Sequence, residues 1–464
     1  MSLDTLLADL RPLLGDRLST SQAIRDHHAR DESHHLPAPP DAVAFPISTA
    51  EVSKIAALCS HHHVPIIPFG AGSGLEGAVL AVAGGLTVDL SRMDAILAIH
   101  ADDMDATVQA GVRRRALNTA LRDTGLYFPI DPGADASLGG MVGTRASGTN
   151  AVRYGTMREN VLGLTVVLAD GQVIRTGGRA RKSSAGYDLT RLFVGSEGTL
   201  GIVTEVTVRL HTIPETALAA VISFTDLDGA VAAATAVIQA GLTVGRVELL
   251  DEDVIPVINR HTGRSLPVRP TLYFDFHGAP DATRSLADQV SAITADHGAV
   301  ATEWAVTASD RDALWETRRL AMGWARSEIP GARAWPGDVC VPISALPRVL
   351  LETKADLRHS PVPAYLIGHV GDGNFHCVFM VQPDRPDQLR EVERLNDRLV
   401  SRALAVGGTS TGEHGIGLGK RDYLEAEHGA AAVAAMRAIK HTFDPLGLLN
   451  PGKVLPPLIS SAAE

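Results

Sequence analysis

The sequence predicts an α+β protein with more than one domain, and three observations carry that expectation. Its 464 residues are enough for two or three domains with substantial cores. Short β-prone runs alternate with helical stretches throughout, without an internal repeat. Near Ala217 the rhythm changes: glycine-punctuated strands give way to a regular succession of strands and helices, marking a second α+β domain.

Met1-Ser2-Leu3-Asp4-Thr5-Leu6-Leu7-Ala8-Asp9-Leu10 spaces its leucines for a short amphipathic helix, with acids where a secretory signal or mitochondrial presequence would carry basic residues. His34 to Asp41 holds three prolines in eight residues and reads as an extended connector. Ser48-Thr49-Ala50-Glu51 is a capping-box signature, so a helix follows to about His62. The triple His61-His62-His63 fits the end of that helix, where imidazoles complement the macrodipole, better than a metal tract. Val64 to Phe69 is a strand-like run ending in Gly70-Ala71-Gly72-Ser73-Gly74-Leu75-Glu76-Gly77. Strands are expected at Leu86 to Leu90, Ala106 to Val112, Val161 to Leu168 and Gly201 to Leu210, with a helix from Arg114 to Thr124.

In the second domain, strands are expected at Ala219 to Phe224, Arg246 to Leu250 and Thr271 to Phe276, and helices at Asp228 to Ala240 and Ala282 to Asp296. A helix around Ala430 to Phe443 precedes the closing Asn450-Pro451-Gly452-Lys453.

The formal net charge of −11 excludes a sequence-independent nucleic-acid binder, which needs a basic face to displace phosphate counterions. Cys59, Cys340 and Cys377 are too few and too widely spaced for a disulfide framework or a CxxC metal motif, which fits a reducing, cytoplasmic setting. No run approaches the roughly 18 apolar residues of a membrane span, so membrane contact is expected to be peripheral at most, at the inner membrane.

Three glycine-rich stretches suggest a cofactor. Gly72 to Gly77 matches GxGxxG, but only Ala78 to Ala83 separates it from the next glycines and strand, too little for a crossover helix, and it lacks the GK[ST] of a Walker loop. The second stretch runs from Asp131 to Gly148 and the third from Gly195 to Val203. Their glycines, with Ser137, Thr144 and Ser147, leave backbone N–H groups and hydroxyls free for a pyrophosphate or a polar ring edge. Three such stretches exceed what turn formation requires.

The second chemical feature is Gly368-His369-Val370-Gly371-Asp372-Gly373-Asn374-Phe375-His376. Apolar runs flank strong turn chemistry, so the segment reads as a hairpin that turns both imidazoles toward one point. With Glu413 downstream this is a two-histidine, one-carboxylate set suited to zinc, iron or manganese. By spacing alone, hydrogen-bonded loop histidines fit equally well.

Taken together, Pro68 to Gly77, Pro132 to Gly148 with Tyr154-Gly155, and Gly195 to Val203 resemble the FAD-binding half of the vanillyl-alcohol-oxidase type flavoproteins. Gly368 to His376, Gly412 to Gly415 and Asn450 to Lys453 further resemble the branch of D-lactate dehydrogenases, glycolate oxidase flavin subunits and D-2-hydroxyglutarate dehydrogenases. The resemblance spans about residues 40 to 456. It implies an α+β fold with a two-part FAD-binding domain of that type, an inserted α+β cap (substrate) domain and a C-terminal helical segment completing the FAD site. The expected boundaries are 1–40 for the N-terminal helix and connector, 41–215 for the FAD domain, 216–413 for the cap with its metal hairpin, and 414–464 for the C-terminal segment.

The resemblance also implies roles. Pro68, Gly70, Ala71, Gly72, Ser73, Gly74, Pro132, Gly133, Ser137, Gly139, Gly140, Gly143, Thr144, Ser147, Gly148, Tyr154, Gly155, Glu197, Gly198, Gly201, Ile202 and Asn450 would hold FAD. No histidine lies in Gly70 to Gly77, where covalent members commonly carry one, so the FAD is expected to be non-covalent. His369, His376 and Glu413 would hold one divalent ion, zinc, manganese or iron; His414 would be the general base and Arg318 the cation for the substrate carboxylate. Asn374 would hydrogen-bond the substrate or support a ligand.

The implied reaction is oxidation of a D-2-hydroxy acid to the 2-oxo acid, with electrons passing to an external quinone, cytochrome or electron-transfer flavoprotein. Trp335-Pro336-Gly337-Asp338-Val339 lacks the basic residue that the hydroxyglutarate enzymes place just before the matching Asp-Val, which favours D-lactate or another monocarboxylate. A hydroxyglutarate or glycolate dehydrogenase, or the flavin subunit of a larger electron-transfer complex, are the alternatives. A homodimer is one open assembly.

Overall fold

The computed structural model describes residues 3–457; residues 1, 2 and 458–464, the extreme ends of the N-terminal helix and C-terminal segment anticipated above, lie outside the described residues. The chain folds as two compact units. Of the described residues, one unit comprises 3–147, 155–212 and 413–457, the other 148–154 and 213–412.

In the first unit a four-stranded sheet runs in the order Leu18–Ser19, Ala42–Ala44, Leu86–Asp89, Ile66–Phe69, its last three strands parallel. The helix Thr49–His62 makes the crossover from Ala42–Ala44 to Ile66–Phe69. Ser48 Oγ caps it by accepting the Glu51 N–H, and His63 ends it with a positive φ. The N-terminal helix Leu3–Leu14 buries Leu6, Leu10 and Leu14 in the same core as Ile55, Ile66 and Leu86, so it is part of this unit's packing. A second sheet, antiparallel, has the order Ile96–His100, Asp105–Gln109, Ile202–Arg209, Val161–Val167, Val173–Gly177. Between Gly77 and Leu86 there is no helix, as the short spacing required.

The second unit is a seven-stranded antiparallel sheet in the order Ala299–Ala305, Thr216–Phe224, Thr271–Gly278, Arg246–Leu250, Ala364–Gly368, Asn374–Val381, Arg333–Cys340. The helices Ile255–Thr262 and Ala308–Ser327 pack on one face through Val221, Leu250, Tyr273, Val378 and Met380. Alternation along the strands places Glu248 opposite Tyr273, and His376 opposite both Ile367 and Asp338.

Several elements here have no counterpart in the sequence expectations, among them Arg333–Cys340 and Pro386–Ala405. Arg333–Cys340 contains Pro336 and Gly337, which argue against a strand; it is tolerated because it lies at the sheet edge, where the missing N–H leaves no ladder partner wanting. Pro386–Ala405 is a helix of 20 residues with Pro386 in its first turn. Among the described residues no helix is long and apolar enough to cross a membrane.

Candidate active site

The three glycine stretches meet in the first unit. A methyl group on Gly70 would lie 2.4 Å from Ser137 Oγ, and one on Gly198 would lie 2.7 Å from Pro68 Cγ. Glu197 donates its backbone N–H to the Gly143 carbonyl at 3.0 Å. The first stretch therefore touches the second, the second the third, and the third returns to the strand that opens the first. Ser137 caps the short helix Leu138–Thr144 by accepting the Gly140 N–H, and Thr144 Oγ1 donates to the Gly140 carbonyl. Gly139 sits against Ala110, where a methyl would come within 2.6 Å of Ala110 Cβ.

The C-terminal segment ties these loops together. Asn450 Nδ2 donates to the Ala78 carbonyl at 2.9 Å and the Glu197 carbonyl at 2.7 Å, while Lys453 Nζ donates to the Leu80 carbonyl at 2.6 Å. The Glu197 carboxylate accepts the N–H groups of Ile416 at 2.6 Å and Gly417 at 2.9 Å. Burial dominates at this side chain and pushes its pKa up to about 7.

Pro68, Gly70, Ala71, Gly72, Ser73, Gly74, Pro132, Gly139, Gly140, Gly143, Thr144 and Gly198 remain partly accessible, and Gly133 is exposed. A surface of accessible backbone with almost no side chains in the way suits the pyrophosphate and ring edge of FAD. Ser147, Gly201 and Ile202 are buried; Gly201 makes room for Val166, and the Ile202 side chain lies in the core. Gly155 has φ +75 and abuts Glu159. Gly148 and Tyr154 belong to the second unit, where Tyr154 Oη lies 3.1 Å from His277 Nδ1.

In the second unit the hairpin forms as expected, with strands Ala364–Gly368 and Asn374–Val381. The His369 and His376 rings are brought to a centroid separation of 5.2 Å, nearly perpendicular at 82°. A carboxylate backs each of them. Glu248 Oε1 lies 2.6 Å from His369 Nδ1, and Asp338 Oδ1 lies 3.3 Å from His376 Nδ1. Because a carboxylate only accepts, His369 donates through Nδ1 and presents its Nε2 lone pair, the tautomer that metal-ligating histidines adopt when an acid orients them. The donor set fits a divalent ion.

Glu248 is fully buried, and its other oxygen accepts from Arg318 Nη2 at 2.7 Å. Arg318 is only 8 % exposed, and its Nε has no hydrogen-bond partner. Arg319, one residue on, turns to the surface and pairs with Glu316. Arg246 holds its guanidinium 4.5 Å above the Trp315 ring, while Trp324 stacks on His261.

Asp338 is also fully buried and collects Asn374 Nδ2 at 2.7 Å, Thr411 Oγ1 at 2.9 Å and the Gly412 N–H at 2.8 Å. Glu413 and His414 follow Gly412 in the chain and begin the last segment of the first unit. Position 337 faces the helix Pro386–Ala405, since a methyl there would meet Asn396 and Leu399. The pleat thus gives the face of Asp338 to Pro336, and neither Pro336 nor Gly337 carries a charge.

Sequence reasoning named the histidines, Arg318 and Asn374 but assigned no role to Glu248 or Asp338. A signal existed for the first: Arg246-Val247-Glu248-Leu249-Leu250 alternates charge with apolar residues in a strand inside an otherwise buried sheet.

Two family models match the chain, one described as the C-terminal domain of FAD linked oxidases over residues 213–454, the other as an FAD binding domain over residues 40–177. A probable mitochondrial D-lactate dehydrogenase of Danio rerio is 49 % identical, covering 98 % of this chain and 92 % of the relative. A mitochondrial D-lactate dehydrogenase (cytochrome) of Arabidopsis thaliana is 44 % identical, covering 97 % and 80 %. Among solved structures, p-cresol methylhydroxylase with substrate bound superposes with a TM-score of 0.80 at 16 % identity, covering 97 % and 96 %, which is a likeness of fold.

Proposed function

The chain belongs to the FAD-linked oxidase family, and on that premise we propose that it oxidises D-lactate, or a closely related D-2-hydroxy monocarboxylate, to the 2-oxo acid. The observation that carries this reading is the buried network in which one carboxylate, Glu248, joins a metal-type histidine to an arginine. A 2-hydroxy acid presents two things to recognise, a carboxylate and a hydroxyl. The network holds a group suited to each.

When bound, FAD supplies the two-electron acceptor, and a zinc, manganese or iron ion on His369, His376 and Glu413 supplies a Lewis acid for the substrate hydroxyl. Pro68, the glycine stretches, Ser137 and Asn450 hold the flavin in this reading. Arg318, held by Glu248, is the cation for the substrate carboxylate. Asp338 lies 3.3 Å from His376 Nδ1 as its backing acid and accepts the Gly412 N–H. His414 takes the hydroxyl proton. Uncharged Pro336 and Gly337 offer no second cation, which supports a monocarboxylate.

The chain carries only three cysteines, none paired, so its electrons leave to an external acceptor. Relatives are named as mitochondrial proteins; for this chain we place the reaction in a reducing aqueous compartment, the cytoplasm, with peripheral membrane contact at most.

The test is dye reduction by the purified FAD-loaded chain with D-lactate, L-lactate, glycolate and D-2-hydroxyglutarate, before and after treatment with a chelator. D-lactate is expected to be the best of the four, and the chelated enzyme is expected to recover with added zinc or manganese. A rate with D-2-hydroxyglutarate well above that with D-lactate would overturn the substrate assignment.

A further inference from the structure

We propose that Glu248 is a positioning residue that sets metal affinity and substrate affinity together, by fixing the His369 tautomer with one oxygen and the Arg318 guanidinium with the other. This rests on the reading of His369 as a metal ligand and Arg318 as the substrate-carboxylate cation. Glu248 lies in the middle of the strand Arg246–Leu250, fully buried, with its two oxygens 2.6 Å from His369 Nδ1 and 2.7 Å from Arg318 Nη2. Both neighbours present donors, and only a side chain that accepts at both ends satisfies them at once.

Glutamine, the same shape, cannot. With its amide oxygen toward Arg318, its NH2 faces His369 Nδ1 and forces the proton onto Nε2, removing the lone pair a metal needs. With the oxygen toward His369, its NH2 meets the guanidinium donor to donor, in a place where an unmade hydrogen bond is expensive. Aspartate is one methylene short. Keeping the arginine satisfied therefore withdraws the metal ligand, and keeping the ligand displaces the arginine.

The test compares full-length FAD-loaded protein carrying Glu248→Gln, the double change Glu248→Gln with Arg318→Met, and the exposed control Glu316→Gln, after metal removal. In Glu248→Gln, calorimetric titration with zinc or manganese is expected to show binding weakened about 10–100-fold, the range for losing a group that orients a metal-binding histidine. The KM for D-lactate is expected to rise by a similar factor. In the double variant the guanidinium is gone, so the glutamine oxygen is free to accept from His369 Nδ1; zinc affinity is expected to return to within a few-fold of the starting protein while KM stays high. This variant also removes the uncompensated charge if the single variant folds poorly.

Glu316→Gln is expected to match the starting protein in both measurements. Metal and substrate affinities of Glu248→Gln within twofold of the starting protein, or a double variant that binds zinc no better than the single one, would overturn the proposal. If the unmodified protein binds neither metal, the metal reading itself fails, and nitrogen NMR of histidine-labelled protein still decides Glu248. A His369 proton on Nδ1 in the unmodified protein and on Nε2 in Glu248→Gln upholds the role, whereas the same tautomer in both together with an unaltered KM for D-lactate refutes it.

Discussion

Asn374 donates its side-chain amide to Asp338 Oδ1 at 2.7 Å, and the same nitrogen lies 2.7 Å from the Val339 carbonyl. Of the two roles open to Asn374 from the sequence, substrate contact or ligand support, these bonds favour support. Its nitrogen is already engaged by the neighbouring strand. Replacing it with alanine leaves Asp338 short of a donor in a buried place, so Asn374→Ala is expected to lower stability by about 1–3 kcal/mol. Metal affinity is expected to weaken about tenfold or more as His376 loses a firmly held backing acid. Urea unfolding and zinc titration check the two separately, and unchanged zinc affinity would return Asn374 to the substrate.

Arg318→Lys keeps the charge but loses the planar fork. Charge-assisted hydrogen bonds contribute about 1.5–3 kcal/mol, so KM for D-lactate is expected to rise roughly 10–100-fold, with kcat less affected. Removing the charge as well, in Arg318→Met, strands Glu248 in the sheet and is expected to cost about 3–5 kcal/mol of stability. Steady-state kinetics on the lysine variant, and thermal unfolding on the methionine variant, read these effects. A lysine variant with unaltered KM would place the substrate carboxylate elsewhere.

Gly70 allows a test of the flavin cradle that a single substitution cannot provide. A Cβ there would meet Ser137 Oγ at 2.4 Å, but nothing else closer than 3.7 Å. Gly70→Ala is therefore expected to lose most of its bound FAD, seen as a fall in absorbance near 450 nm per protein chain, about tenfold. Adding Ser137→Ala removes the obstructing oxygen and is expected to restore much of the flavin, at about 1 kcal/mol for the lost helix cap. A double variant no better than the single one would show that Ser137 is itself needed for binding.

The parts of this molecule that were legible from sequence are those set by local chemistry. The Ser48 cap and the helix after it, the strand into Gly70, and the hairpin around Gly371-Asp372-Gly373 follow from residues adjacent in the chain. Arg333–Cys340 was illegible because its proline and glycine are acceptable only at a sheet edge, and edge position depends on the whole topology. Glu248 and Asp338 were hidden differently. Each is an acid in a strand, and its meaning comes from a histidine 121 residues away in the first case and a ring across the ladder in the second. Glu197, which the resemblance assigned to the cofactor, has a further partner that lies far away in sequence: its carboxylate accepts from the backbone of Ile416 and Gly417.

Half-buried and buried titratable groups give the first unit a pH-dependent stability whose sign follows from their shifts. Burial lowers His34 from 6.5 to about 3 and His211 from 6.5 to about 4, so each stays neutral in the folded chain while its unfolded counterpart protonates. Below pH 6.5 the unfolded state therefore binds more protons than the folded one. Their contribution is fully present above 6.5 and is lost as pH falls toward 4. Glu197 works the other way. Burial raises it from 4.5 to about 7, so between those values the folded chain holds the extra proton, and this group favours folding on the acid side. The two effects overlap between pH 4.5 and 6.5 and are separated by variants. His34→Asn is expected to flatten the loss of stability on acidification, by up to about 1.4 kcal/mol per pH unit for one proton, whereas Glu197→Gln is expected to steepen it. Urea midpoints from pH 7.5 to 4.5 measure both slopes. A His34→Asn protein that follows the unmodified slope would mean that its imidazole protonates equally in the folded and unfolded states.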